Sequence, residues 1–478
     1  MACTSVAPEL DAAGRARYVT DHLPPGLFRI ADAAEGAPWR VSPQPFPLAP
    51  KTVAAIESLG NDLLAFYRAL NALYLRSARG TAPAYIAEEL DRGKPEQIVK
   101  LARQNRFKQD VPRVIRPDLI LTEDGGYVAS ELDSVPGGMG FTSALAHTYC
   151  EIGEDSIGSP DGIPQRFGEM AASVASKDRP SVAIVVSQES SDYRGELSWL
   201  AGRVNALGLA DTIVCSPQDV VFTEEALFVR SEDGRETKID VLYRNFELFD
   251  LLNISKQELI LYAARHNRVR ITPPPKAHFE EKSTFALFHH PGLRSYWRSE
   301  LGPQVDERLL GIFPRTWIVD PRPLPWQGVI ADLTANGVPV HDWSQLEDLG
   351  KSERDYVLKP SGFSELAWGS KGVKVANDLT KDEWREALRA AQASFNKTPY
   401  ILQRFHKGKR VRVPFLSTSS GEIREMDGRV RLCPYYFVVG DETRLGGILA
   451  TVAPADKRLI HGMSDAIVAS CRVADDGF

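Results

Sequence analysis

The sequence predicts an α/β (α+β) fold with mixed sheets and a largely helical N-terminal region. Three observations carry that expectation. Apolar residues recur at helical spacing from Lys51 to about Arg106. Two apolar-rich runs then flank Asp124-Gly125, a strong hairpin signal. From about residue 180 to 275, strand and helix patterns alternate.

Residues 1 to about 50 are rich in proline and alanine and are predicted to be mostly irregular. The helical stripe comprises Val53, Ile56, Leu59, Leu63, Leu64, Tyr67 and Leu70, then Ile86, Leu90, Ile98 and Leu101; core packing explains it. In the hairpin, alternation puts Arg116 and Asp118 on one face of the first strand. Glu131 and Asp133 share a face of the second. With Asp124 and Gly125 as the two central turn residues, Asp118 faces Glu131 and Arg116 faces Asp133. Opposed carboxylates repel. A divalent cation bound by oxygen ligands would remove that penalty; a solvated face with one ion pair is the other reading. The loop Ser134-Val-Pro-Gly137-Gly138 favours the metal, because its glycines let a substrate or phosphate approach the backbone.

A short helix is expected over Ala144 to Ile152, followed by Gly and Pro punctuation from Ser159 to Pro164. Ser181 to Ser187 is a continuous apolar run, as in a strand buried on both faces. A helix from Gly195 to Leu207, a strand Asp211 to Cys215, and a hairpin from Ala226 to Tyr243 ending in a central strand follow. Open sheets of this kind bind ligands beyond their strands' carboxyl ends. Arg194, Arg244 and Glu247 lie in or next to those loops. They are candidate substrate contacts, with ordinary surface ion pairing as the alternative.

Pro273-Pro274-Pro275 marks a rigid joint, and a helix from Phe279 to Phe288 is expected to carry Lys282. Tyr356 to Pro360 reads as a strand with Lys359 at its end. A loop rich in Gly, Ser and Lys (Gly369, Lys371, Gly372) leads to a second strand, Val373 to Val375. Such a flap could fold its amides over phosphates, with lysine supplying charge. It is neither a Walker A sequence nor a dinucleotide fingerprint. A helix Lys381 to Phe395 and a strand Pro399 to Phe405 bearing Gln403 come next. The basic segment His406 to Arg412 is read as mostly solvated, and Arg429 and Arg431 sit at period-2 spacing on a later strand. Arg444-Leu-Gly446-Gly447 opens the last long strand pattern.

The formal net charge of −6 argues against a general nucleic-acid binder. The five cysteines are scattered, odd in number and without a CxxC spacing. They are expected to be buried thiols of a reducing cytoplasm, not a zinc site or a disulfide framework. No signal peptide and no run long enough to cross a bilayer is recognised, so a cytoplasmic, membrane-free protein is expected.

These pieces, in this order, resemble the circularly permuted ATP-grasp ligases, in particular the synthetase domain of glutathionylspermidine synthase and eukaryotic glutathione synthetase. Arg116-Pro-Asp118 resembles their R-x-D strand, and Glu131-Leu-Asp133 their E-x-N, with Asp in place of Asn. Lys282, Lys359-Pro360, Gly369 to Val373, Gln403 and the Arg444 strand follow in family order. The resemblance covers about Arg113 to Ser464. It implies an ATP-grasp-like architecture with an inserted Rossmann-like substrate subdomain. The divisions are 1–110 (helical N-terminal region), 111–175 (first sheet segment with the metal hairpin), 176–275 (substrate subdomain), 276–350 (connecting segment), 351–405 (lid) and 406–478 (return to the core).

The implied activity is an ATP-dependent carboxylate–amine ligase proceeding through an acyl phosphate. Asp118, Glu131 and Asp133 would hold Mg2+; Lys282, Lys359, Gly369, Lys371, Gly372 and Gln403 would bind ATP. Arg116 would stabilise developing charge, while Ser134, Gly137, Arg194, Arg244, Glu247 and Arg444 would contact small carboxylate and amine substrates. Asp133 and a longer loop from Ser361 to Trp368 depart from the family pattern. A small-molecule kinase on the same scaffold and a nucleotide-binding partner protein without catalysis are the alternatives.

Overall fold

The computed structural model describes residues 3, 10–27, 39–231, 233–367, 371–417, 419–460 and 465–474. Its centre is a mixed sheet of eight strands. The main path runs Arg40–Val41, Ile467–Val473, Glu442–Pro454, Ile423–Val439, Val114–Leu121 and Tyr127–Asp133. Phe46–Leu48 and Arg410–Leu416 pair with Ile467–Val473 and Ile423–Val439. The long strand Ile423–Val439 is the hub, because the acidic hairpin lies against one of its edges and Glu442–Pro454 against the other.

The apolar stripe after Lys51 forms the helix Pro50–Ala78. Proline occupies its first turn, where no amide is needed. Gly80, at φ +76°, ends it: Thr81 N–H bonds Arg76 O and Gly80 N–H bonds Ser77 O, a Schellman cap. Gly60 lets this helix lie on the sheet, since a Cβ there would come within 2.6 Å of the Tyr436 ring. The N-terminal stretch is more ordered than its composition suggests. It contains the helix Ala12–His22, capped by Asp11, and two short strands.

Residues 181–272 contain a second sheet of four parallel strands, ordered Arg270–Thr272, Val241–Asn245, Ser181–Val186 and Asp211–Cys215. Val182 to Val186 are buried, as their unbroken apolar run predicts. The hairpin before Val241 does not continue into this sheet. Leu227–Arg230 instead sits between Val220–Phe222 and Glu236–Lys238 in a separate three-stranded sheet.

The third sheet is antiparallel: Thr316–Ile318, Tyr400–Arg404, Tyr356–Pro360 and Lys374–Val375. It packs its own apolar cluster of Trp317, Trp343, Tyr356, Trp384 and Leu402, apart from the main core. Its helix Lys381–Ala393 begins with a Thr380–Glu383 capping box.

Three further expectations need correction. Lys282 is not helical; it sits between the 3-10 turn Ala277–Glu280 and the helix Thr284–His289, tied by its amide to Ser361 O at 2.8 Å. A helix over Gly162–Ala175 went unread, because Pro164 in its first turn looked like loop punctuation. The cysteines are not all free thiols: Cys3 is disulfide-bonded to Cys150, while Cys215, Cys433 and Cys471 are buried and unpaired. Among the described residues no helix is long and apolar enough to cross a membrane.

Candidate functional site

The acidic hairpin has the anticipated pairing where it matters, by an unanticipated route. Asp118 opposes Glu131 and Arg116 opposes Asp133. The turn, however, is a three-residue loop: Thr122 N–H bonds Gly126 O, and Gly125 takes φ +84°. That shifts the register by one residue near the turn. A bulge after Asp118, opposite Ser130, shifts it back. The bulge also turns Ser130 O toward the third sheet, where Lys359 Nζ donates to it at 2.9 Å.

Repulsion within the hairpin is relieved by arginines. Asp118 is 2% exposed and lies between Arg116 Nε and Arg431 Nη1, each at 3.0 Å, with the Cys433 thiol at 3.4 Å. Burial pushes its carboxyl up, but the two guanidinium groups outweigh burial and hold it below the usual range. Arg116 also reaches Asp133 at 3.0 Å and Gly137 O at 3.2 Å. Glu131 keeps about a third of its side chain exposed and stands 3.7 Å from Lys282 Nζ. Among the described residues no three acidic, His or Cys side chains converge to hold a metal ion. Asp118 and Asp133 are both engaged by Arg116, so Glu131 is the predicted metal ligand that carries no arginine. Magnesium is commonly held by one or two carboxylates plus phosphate oxygens, so Glu131, with Asp133 beside it on the same strand face, fits such an ion.

Asp118, Ser130, Glu131, Lys359, Gln403 and Arg431 line a cleft between the main sheet and the third sheet. Ile120 and Val128 wall it on one side, Val357 and Val373 on the other. The result is a slot with apolar walls and several charged side chains, Arg404, His406 and Arg458 included, in its lining. Lys359 is 6% exposed and donates to two neutral acceptors, Ser130 O and Gln403 Oε1, both at 2.9 Å. Burial lowers its ammonium to about 8. Arg431 Nε is buried without a partner among the described residues. An under-compensated ammonium and an open guanidinium N–H are what an anionic ligand would satisfy. The enclosed space is about 100 Å³, below the usual size of a ligand pocket. A more polar cavity of about 540 Å³ opens from its Phe405 and Arg458 wall.

The other anticipated contacts divide. Lys371 lies 3.7 Å from Glu189, on a loop of the parallel sheet. Gly372 packs under Pro360 and bonds Leu366 O; Gly369 lies outside the described residues. Ser134 is buried, with its hydroxyl unpartnered among the described residues. Arg194 is tied internally to Ser216 Oγ at 2.7 Å. The Arg244 guanidinium, 1% exposed, donates to Pro273 O, Phe246 O, Pro274 O and Glu280, so it braces the fold rather than facing a substrate. Arg444 pairs with Glu169 at 2.9 Å. Its strand partner is Phe437, six residues along from Arg431, which is roughly 20 Å of strand. Arg444 is therefore not at the cleft.

The glycine loop also differs from expectation. Gly137 and Gly138 do permit close approach, but what approaches is protein. A Cβ on Gly137 would lie 2.1 Å from the Tyr193 ring. The Gly138 and Phe141 amides, at the start of the helix Met139–Glu151, are taken by the two carboxylate oxygens of Glu196 at 2.5 and 2.9 Å. An internal carboxylate thus takes backbone amides at the end of the loop that was expected to let a ligand approach, where the helix begins. Burial raises Glu196 to about 7, against the pull of those amides. Between its ordinary value near 4.5 and about 7, the native state holds a proton that the unfolded chain has released. Stability contributed here therefore falls as pH rises through that window, by on the order of 3 kcal/mol. Urea unfolding of wild type and Glu196→Gln at several pH values checks this: the variant's stability relative to wild type should rise with pH, and parallel profiles would refute it.

Arg431, Cys433, Tyr193 and Glu196 were missed as site residues. Only Arg431 left a trace, as an arginine at period-2 spacing with Arg429 on a later strand.

Neither a protein-family model nor a curated protein matches the sequence. Among solved structures, the chain is similar to a glutathione synthetase-like effector of Globodera pallida in its apo form. That match has a TM-score of 0.59 and 12% identity and covers 98% of each chain. A candidate γ-glutamylcysteine synthetase of Methylobacillus flagellatus matches at TM-score 0.38 and 12% identity, over 80% of this chain and 85% of its own, too distant to support an argument. The first match shows a shared fold: the chain has a glutathione synthetase-like mixed α/β architecture.

Proposed function

We propose that the chain is an ATP-dependent carboxylate–amine ligase of ATP-grasp type, joining a small carboxylate to an amine with release of ADP and phosphate. One observation carries this reading. The acidic hairpin and the third sheet, more than 200 residues apart in sequence, meet at a slot lined by Glu131 and Lys359, with Lys282 standing 3.7 Å from Glu131. The shared fold supports it.

In this reading the apolar faces of the slot hold the nucleotide base. Lys359, Lys282 and Arg431 bind its phosphates. Glu131 and Asp133 would hold magnesium, which when bound supplies charge neutralisation across the phosphates. Asp118 is a positioning residue, fixing both Arg116 and Arg431. Arg116 is held by Asp118, Asp133 and Gly137 O, so it is preorganised to face charge developing on a transferred phosphoryl group.

The test is release of ADP and phosphate across a panel of carboxylates and amines, with the mass of any condensed product. ADP without free phosphate would identify a kinase instead. Glu131→Ala is expected to reduce magnesium-dependent turnover to below about one-hundredth. The fold should survive, since the partly exposed side chain makes only one long ion pair. Full turnover in that variant would remove Glu131 from the site. A second reading, nucleotide binding without turnover, is favoured by the arginine clamp on Asp118. Binding with no ADP formed across the whole panel would establish it.

A further inference from the structure

A cavity of about 510 Å³ runs along the outer edge strand of the third sheet, Thr316–Ile318. It shares no lining residue with the slot. Its volume lies within the usual range of small-molecule pockets. Trp317 and Trp343, 7% and 4% exposed, and the half-buried Tyr85 give it an aromatic lining. Both indole N–H groups are already spent, Trp317 Nε1 on Ala331 O at 2.8 Å and Trp343 Nε1 on Asp320 O at 2.7 Å. Leu324 and Val329 line it too and are 40% and 45% exposed, so they stand at its mouth.

Every arginine and carboxylate in the lining is answered within the protein. Arg322 donates to Asp320 at 2.9 Å and to Glu89 at 2.8 Å, and Glu89 also holds Arg92 at 2.6 Å. Arg315 pairs with Asp332 and donates to His289 O at 3.1 Å. Asp342 accepts the Ser344 amide at 2.8 Å. His289 donates through Nε2 to Phe313 O at 2.9 Å, and burial lowers its imidazole to about 4, so it is neutral near pH 7. Burial pushes His290 down as well. A charged ligand would be desolvated here with no free counter-charge, whereas a neutral ring gains burial and aromatic contact. One polar handle is left. His290 Nδ1 accepts the Gly292 amide at 3.1 Å, so the neutral ring carries its proton on Nε2, which has no partner among the described residues.

We propose that this cavity binds an uncharged fused aromatic ring bearing one hydrogen-bond acceptor, packed against Trp317, Trp343 and Tyr85 and held by the His290 N–H. This site stands whether or not the slot turns over ATP. The full chain is titrated at pH 7.5 with quinoline and 2-quinolone as neutral probes. Quinoline-4-carboxylate and N-methylquinolinium are the charged analogues, and 2-decalone is the saturated one. Binding is read by calorimetry and by saturation-transfer NMR.

At least one neutral ring should bind at a single site, with both charged analogues weaker by at least about tenfold and 2-decalone weaker by a few-fold. Leu324→Glu and Val329→Glu, exposed changes that place a carboxylate at the mouth, should fold normally and weaken the ring several-fold. His290→Ala should weaken it by a few-fold. No binding of either neutral ring, equal binding of the charged or saturated analogues, or wild-type binding in both mouth variants would overturn the proposal. Displacement of the ring by ATP would move it to the slot and do the same. Trp326, between the two mouth residues in sequence, is 94% exposed. A dimer seen by sedimentation velocity that blocks the ring and disappears in Trp326→Ala would give the cavity to a second copy of the chain, again overturning the proposal.

Discussion

Arg244→Ala is expected to destabilise the protein by about 3–5 kcal/mol. Its guanidinium is 1% exposed and holds three backbone carbonyls and one carboxylate at once. Deleting it leaves Pro273 O, Phe246 O and Pro274 O buried without that donor, and strands Glu280 beside Glu247 and Asp133. Burial already raises the Glu280 carboxyl against Arg244's pull, so the variant's carboxyl will tend to stay protonated. Lysine should not rescue the loss, because a point charge cannot reproduce a fork that serves four acceptors. Urea unfolding followed by circular dichroism checks this. A loss below about 1 kcal/mol would mean that solvent or the Pro273 to Pro275 joint rearranges to satisfy those groups.

Lys359→Ala carries the largest expected effect on activity. ATP turnover should fall by about 10²–10³-fold, the cost of removing one preorganised charged donor. The fold should be retained, since the lost partners are neutral and Gln403 keeps its contact with Thr316. A pH signature accompanies the prediction. Lys359 has a lowered value of about 8, so near pH 8 a good part of it is neutral in the empty protein. An anionic phosphate favours the ammonium, so nucleotide binding at that pH should take up protons. Affinity should therefore be highest below about pH 8 and decline as pH rises above it. Calorimetry in buffers of different ionisation enthalpy measures the uptake. Wild-type affinity and no buffer dependence in both proteins would detach Lys359 from the site.

Much of this architecture was legible in the sequence, and the gaps have physical causes. The stripe from Val53 to Leu70 and the run Val182 to Val186 announce their partners' geometry through periodicity alone. The hairpin was legible because Asp-Gly between apolar runs specifies a turn. Its register came out as expected only because a longer loop and a bulge opposite Ser130 offset one another. Contacts between distant segments left no local signal. Nothing near Gly138 indicates that Glu196, 58 residues later, will fill its amides. Arg431 could be seen at period-2 spacing with Arg429, but its pairing with Asp118 spans 313 residues. Lys282 was placed on a helix running from Phe279 to Phe288, whereas the helix begins only at Thr284 and the Lys282 amide is claimed by Ser361. Cys3 and Cys150 read as unrelated thiols for the same reason.

One tether has a wider bearing. Lys359 grows from a sheet with its own apolar interior and hooks onto Ser130 of the neighbouring sheet. The two leaves are thus joined in part by a side chain whose charge finds only neutral acceptors. Were the proposed phosphates to draw that ammonium away, they would also release this contact between the leaves, so in the ligase reading binding and separation of the leaves would be linked through one amino group.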